Sequence, residues 1–235
     1  MLESLRNKKI LLVVAHPDDE LLGVGGTMHR LINEFGVIVK VVILGEGITS
    51  RGVERDTVQW KSELETHKKN IETAQKSIGY HELATYDLPD NRFDGVELLD
   101  VVKIVESEKE SFQPEVIFTH HGGDLNVDHR ITYQAVITAT RPMQDEKVVT
   151  IVAFETPSGT EWRASDDPYT FVPNFFVALS EADLSAKIKG MESYEFEKRA
   201  YPHPRSPEAL KILAQYRGVT VGKTYAEAFR IIRTF

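Results

Sequence analysis

The stretch KILLVVAHPDDELLG, Lys9 to Gly23, decides how the chain is read. Its first half is a continuous apolar run without polar alternation, which predicts a strand buried on both faces, over Lys9–Ala15. Its second half puts Pro17 at a first helical position and Asp18, Asp19 and Glu20 in the first turn, where the helix dipole favours negative charge. A helix is expected over Pro17–Phe35, ended by Gly36.

Outward from this unit the same rhythm repeats. Val37–Leu44 reads as a strand, Arg55–Ile78 as mostly helix stopped by Gly79, and Leu83–Leu88 as a short strand. A helix over Val96–Phe112, a buried strand at Glu115–His120, a helix over Asp128–Thr140 and a strand at Val148–Glu155 follow. Such alternation predicts an α/β fold: a Rossmann-like, mainly parallel sheet with helices on both faces. From Thr156 a long loop rich in turn formers carries Trp162. Beyond it lie a strand at NFFVALS, a helix over Glu181–Glu197 with a capping box from Ser180 to Asp183, and a helix with Ser206 as N-cap and Pro207 after it. The segment YAEAFRIIRTF closes the chain as helix turn or strand. No repeat or linker interrupts this order, so residues 1–235 are expected to form a single domain, with 1–155 as α/β core and 156–235 as substrate loop and C-terminal elements.

Composition narrows the function. The net charge of −8 argues against a nucleic-acid backbone or an anionic membrane surface as partner. With no cysteine, disulfides, thiolate metal sites and cysteine nucleophiles are excluded, so any metal must be held by His, Asp or Glu. The apolar run Ile10–Ala15 is too short for a signal-peptide core or a membrane span, and a cytoplasmic location is expected.

Ligands of an open parallel sheet bind beyond the carboxyl ends of its strands. Two of those ends are loaded: His16-Pro17-Asp18-Asp19-Glu20, and HHGGDLNVDHR from His120 to Arg130. Each has an ordinary explanation alone, as a charged helix start and as a turn followed by a capping Asp128. Together they suit a zinc site, which takes three His, Asp or Glu ligands and keeps one position open. His16 and Asp19, three residues apart, can converge on one ion, and His129 could supply the third ligand. Asp18 would stay uncoordinated as general base. A nucleotide-binding module is disfavoured, because GVGG at Gly23–Gly26 lies inside the expected first helix rather than in a phosphate-binding turn.

The AHPDDE segment with Asp128-His129-Arg130, supported by LGEGITSR, LPDNRFD near residue 90 and YAEAF near the end, resembles the PIG-L/LmbE-like family of zinc-dependent N-deacetylases. The resemblance implies removal of an acetyl group from an N-acetylated amino sugar by zinc-bound water, giving free amine and acetate. It implies Zn2+ on His16, Asp19 and His129, with Asp18 as base and Asp128 supporting the ligands. One departure stands out: family members often read His-x-Asp-His, and here Asn126 holds the first place. Its amide can donate to an oxyanion but cannot carry positive charge. Asn126 is the expected catalytic partner of Asp18, with His120 or His121 as alternatives.

Arg51, Asp90 and Trp162 are expected to contact substrate, the first two from strand-end placement, while Trp162 could equally be a packed tryptophan. His203-Pro204-Arg205 could hold an anion or form a solvated turn. The expected partner is a small N-acetylated sugar, free or carrier-linked, and a homo-oligomer is compatible with the chain. The alternatives are an amidase for a larger conjugate, such as a thiol-sugar, and a metal-binding homologue without catalytic activity.

Overall fold

The computed structural model describes residues 2–164 and 168–235. Seven strands form one sheet: β1 (Lys9–Val14), β2 (Ile38–Gly45), β3 (Glu82–Leu88), β4 (Val116–His120), β5 (Thr150–Phe154), β6 (Phe175–Leu179) and β7 (Tyr225–Thr234), in the order β3-β2-β1-β4-β5-β7-β6. The first five are parallel, and β7 joins β5 and β6 antiparallel. YAEAFRIIRTF is therefore a strand.

Every side chain of β1 after Lys9 is buried, as its unbroken apolar run requires. Its two faces feed two cores. Ile10, Leu12 and Val14 pack with apolar residues of the helices α2 (Gly25–Phe35), α3 (Lys61–Ile78), α6 (Glu181–Glu192) and α7 (Pro207–Thr220). Leu11, Val13 and Ala15 face α4 (Leu98–Phe112) and α5 (Val127–Ala139). Ser180 and Asp183 form the expected capping box, and Ser206 caps α7 with Pro207 behind it. Helix α6 ends at Glu192, short of the expected Glu197, and α3 begins at Lys61 rather than near Arg55.

The first helix departs from expectation. It is two helices, α1 (Asp19–Leu22) and α2, broken at Gly23–Val24. The break gives α2 its own N-terminus, whose Gly26 and Thr27 amides donate to the Glu227 carboxylate at 3.2 and 2.7 Å. Lys187 neutralises that carboxylate at 2.6 Å. Gly23 itself is required, because a Cβ there would lie 2.2 Å from the Phe154 ring. GVGG thus spans a helix break rather than a helix interior, and of its amides that of Gly26 is spent on Glu227 while that of Gly23 closes α1 on the Asp19 carbonyl.

The long loop after β5 contains a short turn at Thr160–Trp162, and its residues 165–167 lie outside the described residues. Among the described residues, no helix is long and apolar enough to cross a membrane.

Candidate metal centre

The chain runs β1, β2, β3 outward on one side, then returns to place β4 against the other side of β1. The carboxyl ends of β1 and β4 therefore lie side by side at the switch point of the sheet, where ligands of such folds bind. Asp18 sits there at φ 101°, ψ −26°, a left-handed conformation that is costly for a residue other than glycine. Its amide donates to Glu20 Oε2 at 3.0 Å, and its carboxylate does not cap α1.

His16, Asp19 and His129 come together as expected, with candidate ligand atoms all within 4.8 Å of one another. Asp19 Oδ2 lies 3.4 Å from His16 Nδ1 and 3.3 Å from His129 Nε2. The far nitrogen of each histidine is backed by a carboxylate. His16 Nε2 is 2.9 Å from Asp128 Oδ2, and His129 Nδ1 is 3.1 Å from Asp124 Oδ1, off the line of a good hydrogen bond. Both ring nitrogens of His129 are buried and, among the described residues, without a hydrogen-bond partner. Orphaned imidazole nitrogens beside a carboxylate, with carboxylates behind both rings, form a donor set that fits a divalent metal. His16, Asp90 and Asp128 also meet within the same limit, but there His16 Nε2 already pairs with Asp128.

Burial and neighbours push the two adjacent aspartates apart. Burial opposes charge on Asp19, but His129 and His120 outweigh it and hold its carboxyl well below the usual range. Burial raises Asp18 well above that range, aided by the charge of Asp19 and opposed by Arg205. His129, despite burial, is raised to about 9 by Asp19 and Asp124. His16 is raised well above the ordinary value, with Asp128 and Asp19 overcoming its burial. This is a pocket that attracts positive charge.

Asn126 is the N-cap of α5: its Oδ1 accepts from the Asp128 amide at 2.8 Å, and its Nδ2 donates to Asn91 Oδ1 at 2.9 Å. The cap that Asp128 could have supplied is therefore made by Asn126. Asp128, fully buried, takes His16 and the Phe93 amide instead. His120 Nε2 accepts from the Ala15 amide at 2.9 Å, and its ring stacks on His129 at 3.9 Å. Burial and the charge of His129 push His120 down to about 4, so it is a neutral spacer. His121 Nε2 lies 2.7 Å from the Tyr169 carbonyl.

A cavity of about 230 Å3 opens over the cluster, with His16, Asp18, Asp90, Asn126, Arg51 and Trp162 among its lining residues. All three expected substrate residues are there. Asp90 is held by the Ser50 amide and hydroxyl, Arg51 pairs with Glu197, and Trp162, 53% exposed, stands edge-on to His203. Sequence reasoning missed His67 and Glu197, which also line the cavity. It also left Arg205 undecided between an anion site and a solvated turn. Arg205 is neither, since it pairs with Asp18 and Glu197.

The class that fold and site define is an open α/β protein with a candidate two-His, one-Asp metal centre at its switch point and a spare aspartate beside it. Residues 11–140 match the family model PIG-L, GlcNAc-PI de-N-acetylase, and the chain belongs to that family. It is 26% identical over 195 residues to the uncharacterized deacetylase YaiS of Escherichia coli K12, covering 81% of this chain and 92% of that one. It is 26% identical over 234 residues to the diacetylchitobiose deacetylase of Thermococcus kodakarensis, covering 96% and 83%. The fold is shared with GalB, the 4-carboxy-2-hydroxymuconate hydratase of Pseudomonas putida KT2440, at a TM-score of 0.72, 20% identity and 97% coverage of both chains. The fold alone therefore does not choose between amide hydrolysis and hydration.

Proposed function

We propose that the protein is a zinc-dependent N-deacetylase that hydrolyses the acetamide of an N-acetylated amino sugar, releasing acetate and a free amine. The convergence of His16, Asp19 and His129, with Asp18 next to them but outside the ligand set, carries this reading, and its family membership and deacetylase relatives support it. Two histidines and an aspartate are a donor set that catalytic zinc accepts, and the resemblance to zinc-dependent deacetylases selects zinc among the ions that such a set can hold. Bound there, zinc would polarise the amide carbonyl and acidify a water. His16 and His129 would serve as neutral ligands, oriented by Asp128 and Asp124. Asp18 would take the proton from the attacking water and return it to the departing nitrogen.

Asn126 is the side-chain donor we assign to the developing oxyanion. Among the described residues its Nδ2 is engaged by Asn91 alone, a partner it can exchange, whereas its Oδ1 must stay on the helix cap. Arg51, Asp90 and Trp162 would bind the sugar from the cavity wall. We read the chain as one cytoplasmic domain in which 1–155 supply the parallel strands, while 156–235 supply the substrate loop and the C-terminal elements that complete the sheet and one of its cores.

The test is acetate release from a panel of N-acetyl sugars, free and nucleotide-linked, with chelator and with zinc restored. Chelator-sensitive acetate release supports the proposal. Turnover that ignores the chelator refutes it, and so does the absence of amide cleavage when hydration of an unsaturated acid proceeds.

A further inference from the structure

Arg205 is, among the described residues, the Lys or Arg side chain within ion-pair distance of the Asp18–Asp19 pair. It arrives from the turn before α7, well outside the residues matched by the family model. Its Nη1 donates to Asp18 Oδ2 at 2.9 Å and to Glu197 Oε2 at 2.7 Å, and its Nε donates to Ser158 Oγ at 2.8 Å. The turn is itself tied down: the Ser206 amide donates to the His203 carbonyl at 2.9 Å, and Ser206 then caps α7. Glu197 is fixed from its other oxygen, Oε1, by Arg51 Nη2 at 2.6 Å. A chain of paired charges, Arg51–Glu197–Arg205–Asp18, therefore runs along the cavity wall.

Two ordinary roles fit this arrangement poorly. A partly buried ion pair contributes little net stability once desolvation is counted. An anion-binding arginine would have its charge free, but this one already serves two carboxylates. What the pair does supply is direction. Asp18 is held at its amide by Glu20 and at Oδ2 by Arg205, and among the described residues its Oδ1 has no hydrogen bond from the protein.

We propose that Arg205 is a positioning residue for Asp18, clamping Oδ2 so that Oδ1 is the oxygen presented to the reacting water. The inference rests on the deacetylase reading, in which Asp18 is the base. The proton passes from water to Oδ1 and then to the amine nitrogen, while the guanidinium keeps its own protons throughout.

The test compares metal-loaded wild type with Arg205→Ala and Arg205→Lys. Because a misplaced catalytic group costs on the order of 100-fold, Arg205→Ala should lose about that in kcat while KM stays within about threefold. Arg205→Lys should regain part of the loss, and added methylguanidine should raise kcat of Arg205→Ala but not of wild type. Crystal structures of the same proteins read the Asp18 carboxylate directly: one rotamer in wild type, a turned or split one in Arg205→Ala. A raised KM at unchanged kcat overturns the proposal in favour of substrate binding, as does an identical, ordered Asp18 in the Ala variant. If the wild type cleaves no amide in the panel, the deacetylase reading falls, and the Asp18 rotamers still decide whether Arg205 positions it.

Discussion

Asp128→Asn is a near-isosteric change whose effect on the metal centre can be worked out from two hydrogen bonds. Asp128 Oδ2 faces His16 Nε2 at 2.9 Å and Oδ1 accepts from the Phe93 amide at 2.9 Å, in a fully buried position. Both neighbours need an acceptor if His16 Nδ1 is to face a metal, because the ring proton must then sit on Nε2. An asparagine offers one acceptor and one donor. With its oxygen toward Phe93, the amide NH2 faces Nε2 and forces the proton onto Nδ1, the ligand atom. With its oxygen toward His16, the NH2 meets the Phe93 N–H, leaving a buried donor unsatisfied at a cost of about 1–3 kcal/mol. The first arrangement weakens the metal directly, and the second weakens the fold. Loss of a carboxylate behind a ligating histidine typically costs 10–100-fold in affinity, about 1.4–2.8 kcal/mol. Competition titration of zinc against a chromophoric chelator measures the affinity, and urea unfolding of the metal-free protein measures the fold. Zinc affinity within about threefold of wild type, with stability also unchanged, would refute the tautomer argument and with it the ligand role of His16.

The other consequences are more direct. Asp18→Asn should retain zinc and lose roughly 10²–10⁴ in turnover; near-normal turnover with metal bound would remove Asp18 as the base. His129, raised to about 9 in the metal-free pocket, is protonated at pH 7.5 and must become neutral to bind. Zinc binding should therefore release a proton below pH about 9, and apparent affinity should rise with pH up to that point. Calorimetry in buffers of different ionisation enthalpy reads this, and a buffer-independent heat would contradict it. Gly23→Ala drives a Cβ to 2.2 Å from the Phe154 ring, so a loss of about 1–3 kcal/mol and a Tm lower by several degrees are expected. An unchanged Tm would mean that the helix break absorbs the methyl.

What could be read in advance follows from where each cause sits along the chain. The strand at Lys9 and the acids after it are local, so periodicity and helix-start chemistry revealed them. The break between α1 and α2 was hidden because its cause is distant: Glu227, some 200 residues on, captures the amides of Gly26 and Thr27. Arg205 was hidden for a similar reason. Nothing in its own turn signals Asp18, which it reaches across 187 residues only once α7 is packed. Asn126 was legible as a candidate donor but not as the cap of α5, a place the sequence offered to Asp128; its two amide ends divide between donor and cap.

The metal centre itself is a product of topology rather than of either motif. The loop and helix start that follow β4 supply His129, its backing Asp124, and Asp128, which backs the other histidine, His16. Neither strand end is complete alone: His16 without Asp128 has no fixed tautomer, and His129 without Asp19 has no carboxylate beside its Nε2. The two ends meet only because the chain reverses its direction of strand addition between β3 and β4, setting β4 against β1. A switch point brings together two loops that no intervening strand separates. The five residues His16, Asp19, Asp124, Asp128 and His129 therefore act as one unit that either strand end would lose if the sheet order changed.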